Sequence, residues 1–282
     1  MRTIKIEKHT ENLFKIIIWS LALFWLFVTL YPLFVMVINS LKTRSEYMIS
    51  TMWALPKKAT LNNYLVVLES GFMRSYFNSF IVTFFSLVFM ISFSTLAAYG
   101  LSKLKFPGSK TVYAIFIAGM MIPIHITIIP IFKLTQSLHL YDSLAGLVGP
   151  YVASALPMAI FILKGFIDAV PGELNEAAEI DGADKFVTFR LIILPVLTPA
   201  ISTVMIYNAV YYWGEFLYAL VLTMSKSNRT INLGLWAFYG ERGVDLTLIF
   251  SALAICSIPL IIVYAIFQER VINGMVAGAV KG

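Results

Sequence analysis

Long apolar stretches alternate with short polar segments along the chain, and this pattern predicts membrane-spanning helices. An α-helix rises about 1.5 Å per residue, so roughly 20 apolar residues cross a hydrocarbon core about 30 Å thick. Stretches of this length lie at residues 14–38, 78–99, 112–132, 144–166, 199–223 and 246–267. Strands of a membrane barrel would instead appear as short segments of alternating polarity. The pattern therefore predicts an all-α fold, a polytopic bundle of six transmembrane helices.

The composition agrees with a membrane environment. Of the 282 residues, 59% are hydrophobic and 13% are charged, and the mean hydropathy is +0.83. Soluble domains carry roughly a quarter charged residues. A single soluble core of this size could not hide so much apolar surface, so we expect one transmembrane domain over residues 1–282, with lipid as its main solvent.

The net charge of +6 is spread over loops that flank the apolar stretches. In membrane proteins such a distribution sets topology more often than it binds a polyanion, so we expect no nucleic-acid partner. Basic residues are dense in the N-terminal arm, residues 1–15, and in the short loop at 101–110. Because short loops rich in lysine and arginine stay on the cytoplasmic side, we expect both termini to be cytoplasmic.

One long connection, residues 168–198, is too polar to cross a membrane and too patterned to be a linker. Pro171 and Gly172 end the fourth apolar stretch. Glu173 and Glu176 then fall in the first turns of a new helix, where the helix dipole favours negative charge.

The helix in this connection has one face of mostly small side chains. Four residues share the face because they are spaced at i, i+3, i+4 and i+7: Leu174, Ala177, Ala178 and Asp181. The alanines keep the face low, so the backbone or an aromatic side chain of a partner could approach closely. Gly182 ends the helix, because glycine adopts turn conformations that residues with a Cβ resist. A second helical segment at 184–193 leads into Pro195 and the fifth apolar stretch.

The spacing within this connection matches a known signature. Glu-Ala-Ala at 176–178, glycine at 182, isoleucine at 192 and Leu-Pro at 194–195 follow one another without a gap. The chain thus resembles the membrane subunits of ATP-binding-cassette (ABC) importers, and among them the six-span carbohydrate-uptake branch typified by maltose and oligosaccharide importers. Other recurrent words of that branch are Asn78-Ser79, Tyr99, Phe106-Pro107-Gly108, Met121-Ile122-Pro123, Ile180-Asp181-Gly182-Ala183 and the closing residues 277–282. One departure is Trp213-Gly214-Glu215, where the family often has Trp-Asn before an acidic residue.

The resemblance implies a permease subunit that moves a sugar or oligosaccharide across the bacterial cytoplasmic membrane. Its partners would be a second permease subunit, two ATPase subunits, an extracytoplasmic sugar-binding protein and the lipid membrane. The chain would be no enzyme and would hold no catalytic residue, metal or cofactor, since ATP and Mg²⁺ would bind the partner ATPase. The residues expected to couple the ATPase to transport are Leu174, Glu176, Ala177, Ala178, Asp181, Gly182, Ile192, Leu194 and Pro195. The C-terminal tail, with Gly278 and Lys281, is also expected to contact the ATPase.

Four side chains within the apolar stretches are candidates for the transport pathway. Glu215 is expected to avoid lipid, because a carboxylate at the centre of a membrane helix costs about 2.5–3.5 kcal/mol. It either lines the pathway or pairs subunits, or it lies at the membrane interface. Tyr212 and Trp213 offer faces on which sugars stack, but aromatic residues also collect in bundles and interface belts. His125 is expected to pack against a neighbouring helix more readily than to contact sugar.

Other functions remain open from the residues themselves. An ion-coupled secondary carrier would bury paired ionisable groups, and the apolar stretches offer little beyond Glu215 and His125. A permease for a non-sugar solute fits the same loop. A membrane-bound enzyme fits least, because the sequence offers no pairing of nucleophile and base and no cluster of metal ligands. The run Gly108-Ser109-Lys110-Thr111 lacks the upstream glycine of a phosphate-binding loop, so no ATP site is expected on this chain.

Overall fold

The computed structural model describes residues 2–104, 106–236, 238–240 and 243–279, of which the side chains of 2–13, 240, 243 and 269–279 are left aside. In chain order its helices are α1 (Arg2–Ser40), α2 (Arg44–Ile49), α3 (Asn62–Glu69), α4 (Phe72–Lys103), α5 (Ser109–Gly119), α6 (Ile124–Ser137), α7 (Ala145–Asp168), α8 (Glu173–Ile180), α9 (Lys185–Thr188), α10 (Leu194–Val196), α11 (Thr198–Gly214), α12 (Leu217–Leu222), α13 (Ile231–Trp236) and α14 (Leu246–Ala279). A π-helical turn, Phe189–Ile193, joins α9 to α10. The described β-structure is one antiparallel pair, β1 (Tyr239–Gly240) and β2 (Gly243–Val244). The predicted all-α class is confirmed.

Membrane-crossing segments number between four and six in the described part of the chain. Four single helices are long and apolar enough to cross: Phe14–Ser40, Phe72–Lys103, Ala145–Asp168 and Leu246–Gln268. Two bent pairs qualify when each pair is taken together, Ser109–Gly119 with Ile124–Ser137 and Lys185–Val196 with Thr198–Gly214. A six-span bundle therefore requires that two of its spans be broken helices.

The third predicted span, 112–132, is not one straight helix. Its two halves, α5 and α6, meet at an angle of 102°. Pro123 precedes α6 in an extended conformation and supplies no backbone N–H to continue α5. The break therefore has a direct cause in the sequence, although the size of the bend does not follow from the proline alone.

The fifth predicted span, 199–223, is also divided. Helix α11 ends at Gly214 and α12 begins at Leu217. Glu215 between them is extended, with φ −67° and ψ 132°, and its side chain bonds to the backbone of α12 instead of letting α11 continue. At its other end α11 meets the segment Lys185–Val196 at 72°. By contrast α7 runs unbroken through Pro150 and Pro157.

The chain divides into two compact units, Met1–Ser70 with Phe238–Ile255 and Gly71–Ala237 with Cys256–Gly282. In the first unit, buried polar side chains join α1, α3 and the start of α14. Asn63 donates to the carbonyl groups of Ser40 and Lys42 at 2.7 Å each, and Ser251 donates to the Ser40 carbonyl at 3.2 Å.

The side chain of Lys42 is fully buried in this first unit. Its Nζ donates to the carbonyl of Thr51 at 3.0 Å. Burial lowers the pKa of Lys42, and the nearby carboxylate of Glu46 acts in the opposite direction.

The core of the second unit lies between α4 and α7, with α11 packed on both. Most of its side chains are aliphatic, and neighbouring helices in a membrane approach closely where residues are small. Its buried members include Val82, Met90 and Ala98 from α4 and Leu147, Ala155, Ala159 and Leu163 from α7. Helices α4 and α7 therefore form the packed core to which the polar connection 168–198 is attached.

Candidate functional site

Helix α8 occupies the middle of the polar connection. It follows α7 after Pro171 and Gly172, and Glu173 and Glu176 lie in its first turn, as the sequence predicts. Gly182 has φ +79°, a left-handed conformation that suits glycine. The N–H of Gly182 bonds the Glu179 carbonyl at 3.1 Å and that of Ala183 bonds the Ala178 carbonyl at 2.9 Å. These two bonds form a Schellman cap, so Gly182 ends the helix by satisfying its last carbonyl groups.

The expected docking face of α8 is only partly accessible. Leu174, Ala177 and Asp181 are exposed, whereas Ala178 is 4% exposed and packs inside the chain. Successive helical residues point about 100° apart, so Ala177 can face outward while Ala178 faces inward. The prediction of a surface centred on both alanines is therefore corrected to an edge of Leu174, Ala177 and Asp181. Ile180 stands beside it with 86% of its surface exposed, a residue that the sequence analysis did not select.

The second half of the connection is helical but irregular. Asp184 caps α9 by accepting a hydrogen bond from the Val187 N–H at 2.7 Å. The π-helical turn follows, and within it Ile192 is half-buried. Leu194 is also half-buried and Pro195 is exposed. The carboxyl-terminal part of the signature, residues 192–195, thus lies in a bent segment that leads into α11.

Two side chains near the end of α4 hold the connection in place. The hydroxyl of Tyr99 donates to the Lys185 carbonyl at 3.0 Å, and its ring lies 5.2 Å from that of Phe189. Lys103 Nζ donates to the Val170 carbonyl at 3.1 Å. From the sequence, Tyr99 was noted only as a residue typical of the family, and its bond to Lys185 and the bond of Lys103 to Val170 were not predicted. The i, i+4 spacing of Tyr99 and Lys103 on one face of α4 was the available signal.

A small polar cleft separates α8 from the end of α4. It measures about 50 Å³ and is lined by Tyr99, Lys103, Leu104, Asn175, Glu179, Lys185 and Thr188. Such a space holds a few water molecules between polar groups. The cleft therefore lies between α8 and α4, and the hydrogen bonds to Val170 and Lys185 hold the connection on either side of α8.

Glu215 is buried, and its expected place in the pathway, at a subunit contact or at the membrane interface stays a prediction. It is 7% exposed, and its carboxylate accepts hydrogen bonds from the Tyr151 hydroxyl at 2.7 Å and from the backbone N–H groups of Tyr218 at 2.8 Å and Ala219 at 3.2 Å. A carboxylate at this position satisfies the free N–H groups at the start of α12. The side chain of Glu215 is thus a helix cap.

Tyr212 and Trp213 are buried packing residues. The ring of Tyr212 stacks on that of Tyr151, with centroids 5.4 Å apart. The indole of Trp213 donates to the Cys256 carbonyl at 3.1 Å and meets the ring of Tyr76 edge-on. Both side chains therefore pack against other rings inside this chain.

His125 is exposed at the start of α6 and lines a cavity of about 440 Å³ together with Glu215. The structure thus brings together two of the four candidate pathway residues. Tyr211, next in sequence to the predicted Tyr212, also lines this cavity. Tyr212, which the sequence selected, is buried, and the neighbouring Tyr211 is exposed.

Comparison with known proteins decides the family. Residues 90–276, more than half of the chain and including the whole polar connection, match the family described as "Binding-protein-dependent transport system inner membrane component". The chain belongs to this family. It is therefore a multi-pass membrane permease of the binding-protein-dependent ABC importer type.

Individual relatives cover nearly all of this permease. An ABC transporter permease protein of Caldicellulosiruptor sp. is 43% identical over 92% of this chain and 94% of its own. The arabinooligosaccharides transport system permease protein of Bacillus subtilis is 30% identical over 93% of this chain and 95% of its own. A chain from the crystal structure of a bacterial ABC transporter involved in the import of the acidic polysaccharide alginate superposes with a TM-score of 0.81. That match covers 92% of this chain and 97% of the other, at 22% identity, and shows that the fold is shared.

The permease also contains a polar clamp between the segment after α12 and the loop before α7. Asp142 Oδ1 accepts hydrogen bonds from the N–H groups of Met224 and Ser225 at 2.9 Å each. The hydroxyl of Ser225 donates to Oδ2, and the amide of Asn228 donates to the Asp142 carbonyl and, at 3.4 Å, to Oδ1. These bonds, that of the Ser225 hydroxyl foremost, lower the pKa of Asp142 to about 2. Sequence analysis missed this residue.

The same segment is fastened to the beginning of α4. Asn78 Nδ2 donates to the carbonyl groups of Ser227 at 2.8 Å and Arg229 at 2.9 Å. The N–H of Ile231 donates to the Ser79 hydroxyl at 2.8 Å. The recurrent pair Asn78-Ser79 therefore holds a loop against α4.

The C-terminal contacts stay predictions. Gly278 lies in α14, and Lys281 lies outside the described residues.

Proposed function

We propose that this permease carries a sugar or oligosaccharide across the bacterial inner membrane, driven by ATP that a separate subunit hydrolyses. The single observation that supports this most is the exposed edge of α8, Leu174, Ala177 and Asp181, on a segment fixed to the core helix α4. The B. subtilis relative is named for arabinooligosaccharides, which supports a carbohydrate cargo.

The proposed complex contains a second permease subunit, two ATPase subunits and an extracytoplasmic sugar-binding protein. ATP and Mg²⁺ bind the ATPase, and this chain holds no cofactor. Both termini face the cytoplasm, so the polar connection of α8 and α9 meets the ATPase there. The tail residues Gly278 and Lys281 extend the same contact.

In the proposed mechanism, α8 docks in the ATPase and moves when the ATPase dimer closes. The small side chain of Ala177 lets the partner approach, and Glu176 and Asp181 supply polar contacts at either end. Nucleotide and loaded binding protein each bias an equilibrium between inward-open and outward-open states. Displacement of the connection reaches α4 on either side of α8, because Lys103 bonds the Val170 carbonyl before α8 and Tyr99 bonds the Lys185 carbonyl after it.

Two alternative functions are an ion-coupled carrier and a permease for a non-sugar solute. The ion-coupled carrier has little support, because the chain belongs to a binding-protein-dependent family and Glu215 is engaged as a helix cap. A permease for a non-sugar solute shares the docking surface, so the cargo has to be tested directly.

The proposal is tested with proteoliposomes that contain this permease, the second permease and the ATPase. Loaded binding protein is added outside and ATP is enclosed inside. We expect sugar uptake that needs all components and stops when ATP is replaced by a non-hydrolysable analogue. Uptake by this chain alone under an ion gradient would contradict the proposal.

A further inference from the structure

The bend in the third predicted span lies beside the gap in the fifth. The bend between α5 and α6 precedes Ile124, and the gap between α11 and α12 lies at Glu215 and Phe216. The Thr127 and Tyr218 hydroxyl groups, 2.8 Å apart, join α6 to α12 beside them. Between the two breaks lies the cavity of about 440 Å³, lined by Ile124, His125, Val210, Tyr211, Gly214, Glu215, Phe216 and Leu217.

Broken helices are informative at membrane depth. Lipid cannot satisfy free backbone groups, so non-helical backbone occurs there only where protein covers it or where it lines a hydrated cavity. In many transporters, discontinuous helices form the solute site for this reason. Two coincident breaks around one open cavity, with an exposed histidine at its edge, favour a hydrated space over a lipid-facing surface.

The lining combines mostly apolar side chains with a few polar groups, as sites for small molecules do. His125 can donate and accept hydrogen bonds, and the rings of Tyr211 and Phe216 present apolar faces. Among the lining residues, all of which the structure describes, there is no lysine or arginine. The one carboxylate, that of Glu215, would repel an anionic solute.

We propose that this cavity contacts the transported solute and favours neutral oligosaccharides over acidic ones. The inference rests on the proposed function, and it goes further by assigning the contact to this chain and a charge class to the cargo. The fold is shared with an importer of the acidic polysaccharide alginate, so the fold alone does not determine this class.

Gly214 offers a way to test the cavity without backbone strain. It is exposed at the end of α11, and a Cβ built on it would meet no atom within 4 Å. A large side chain there would enter the open space. Gly214→Phe is therefore expected to block the solute while leaving the helix intact.

The experiment uses the complete complex in proteoliposomes and a mixture of neutral and acidic plant oligosaccharides, with the vesicle contents read by mass spectrometry. ATP-dependent uptake of neutral species only supports the inference. ATP-dependent uptake of acidic species overturns it while leaving the proposed function standing. No ATP-dependent uptake of either class contradicts the proposed function itself.

Variants then test the site. His125→Ala is expected to lower uptake roughly tenfold, the effect of losing a hydrogen bond or two to a solute. ATP hydrolysis stimulated by loaded binding protein should persist, so that the solute carried per ATP falls, and His125→Gln should restore part of the uptake. Tyr264→Phe, on the exposed side of α14 and outside the cavity, is the control and should transport normally.

Two results would contradict the assignment of this cavity as a solute site. Normal uptake by both His125→Ala and Gly214→Phe would overturn the assignment. So would loss of copurification with the second permease in both variants, because the cavity would then be a packing surface between subunits.

Discussion

The hydroxyl of Tyr99 donates a hydrogen bond to the carbonyl of Lys185 across 3.0 Å, and this bond joins residues 86 apart in the sequence. Tyr99 lies near the end of α4 and Lys185 opens α9. Asn78, near the other end of α4, holds the loop at Ser227 and Arg229. The 22 residues from Asn78 to Tyr99 span roughly 30 Å of helix, about the thickness of a hydrocarbon core. One helix thus connects the docking segment to the loop beyond the opposite end.

Tyr99→Phe is expected to weaken coupling without disrupting the fold. The change removes the hydrogen bond to Lys185 and keeps the ring contact with Phe189, at a cost of about 1 kcal/mol. Uptake per ATP hydrolysed should fall in reconstituted complexes, while ATPase activity in detergent should change little. Tyr264→Phe serves as the matched control. Unchanged uptake per ATP in Tyr99→Phe would show that the hydrogen bond from Tyr99 to Lys185 does not couple the ATPase to transport.

The two alanines of α8 are expected to respond differently to substitution. Ala177 is exposed, so Ala177→Arg should leave the thermal stability of the isolated permease unchanged while abolishing copurification with the ATPase or uptake. Ala178 is buried, so Ala178→Leu should overpack and destabilise the folded chain by about 1–3 kcal/mol. Thermal unfolding in detergent and copurification separate the two effects. Full sugar uptake by a stably expressed Ala177→Arg protein would contradict the docking role.

The sequence predicted the elements whose causes are local. Apolar length located the membrane helices, and Gly182 and Pro123 act through their own backbone properties, so both breaks could be expected near these residues. The 102° bend at Pro123 was not predictable, because a proline fixes where a helix stops and not the direction in which the next one leaves.

The contacts that the sequence could not supply are those between distant residues. The partner of Glu215 is Tyr151, 64 positions earlier, and nothing in the local pattern pairs them. Burial of Ala178 but not Ala177 likewise depends on how α8 lies against the rest of the chain. Periodicity defines a face of a helix, and only packing decides which edge of that face stays open.

The pairing of Glu215 with Tyr151 can be measured with a double-mutant cycle. Tyr151→Phe should cost about 1 kcal/mol, and Glu215→Gln about 1–3 kcal/mol, because the cap of α12 is weakened as well. The double variant should be less destabilised than the sum by at least about 0.5 kcal/mol, the signature of residues in direct contact. Thermal unfolding of the purified permease provides the values. Strict additivity would mean that the bond contributes nothing to stability.

The clamp at Asp142 predicts a specific dependence on pH. Its pKa in the folded chain, about 2, is below the ordinary value of 3.8 because the Ser225 hydroxyl, the N–H groups of Ser225 and Met224 and the Asn228 amide bond the ionised form. A carboxyl group with a depressed pKa contributes stability that is fully present above its unfolded pKa, near 4, and is lost as the pH falls towards 2.

Asp142→Asn lacks the charge, so wild type should unfold at a higher temperature by a constant margin between pH 5 and 8. That margin should shrink steadily below about pH 4. A margin between wild type and Asp142→Asn that stays constant down to pH 2.5 would show that these hydrogen bonds do not depend on the ionised carboxylate.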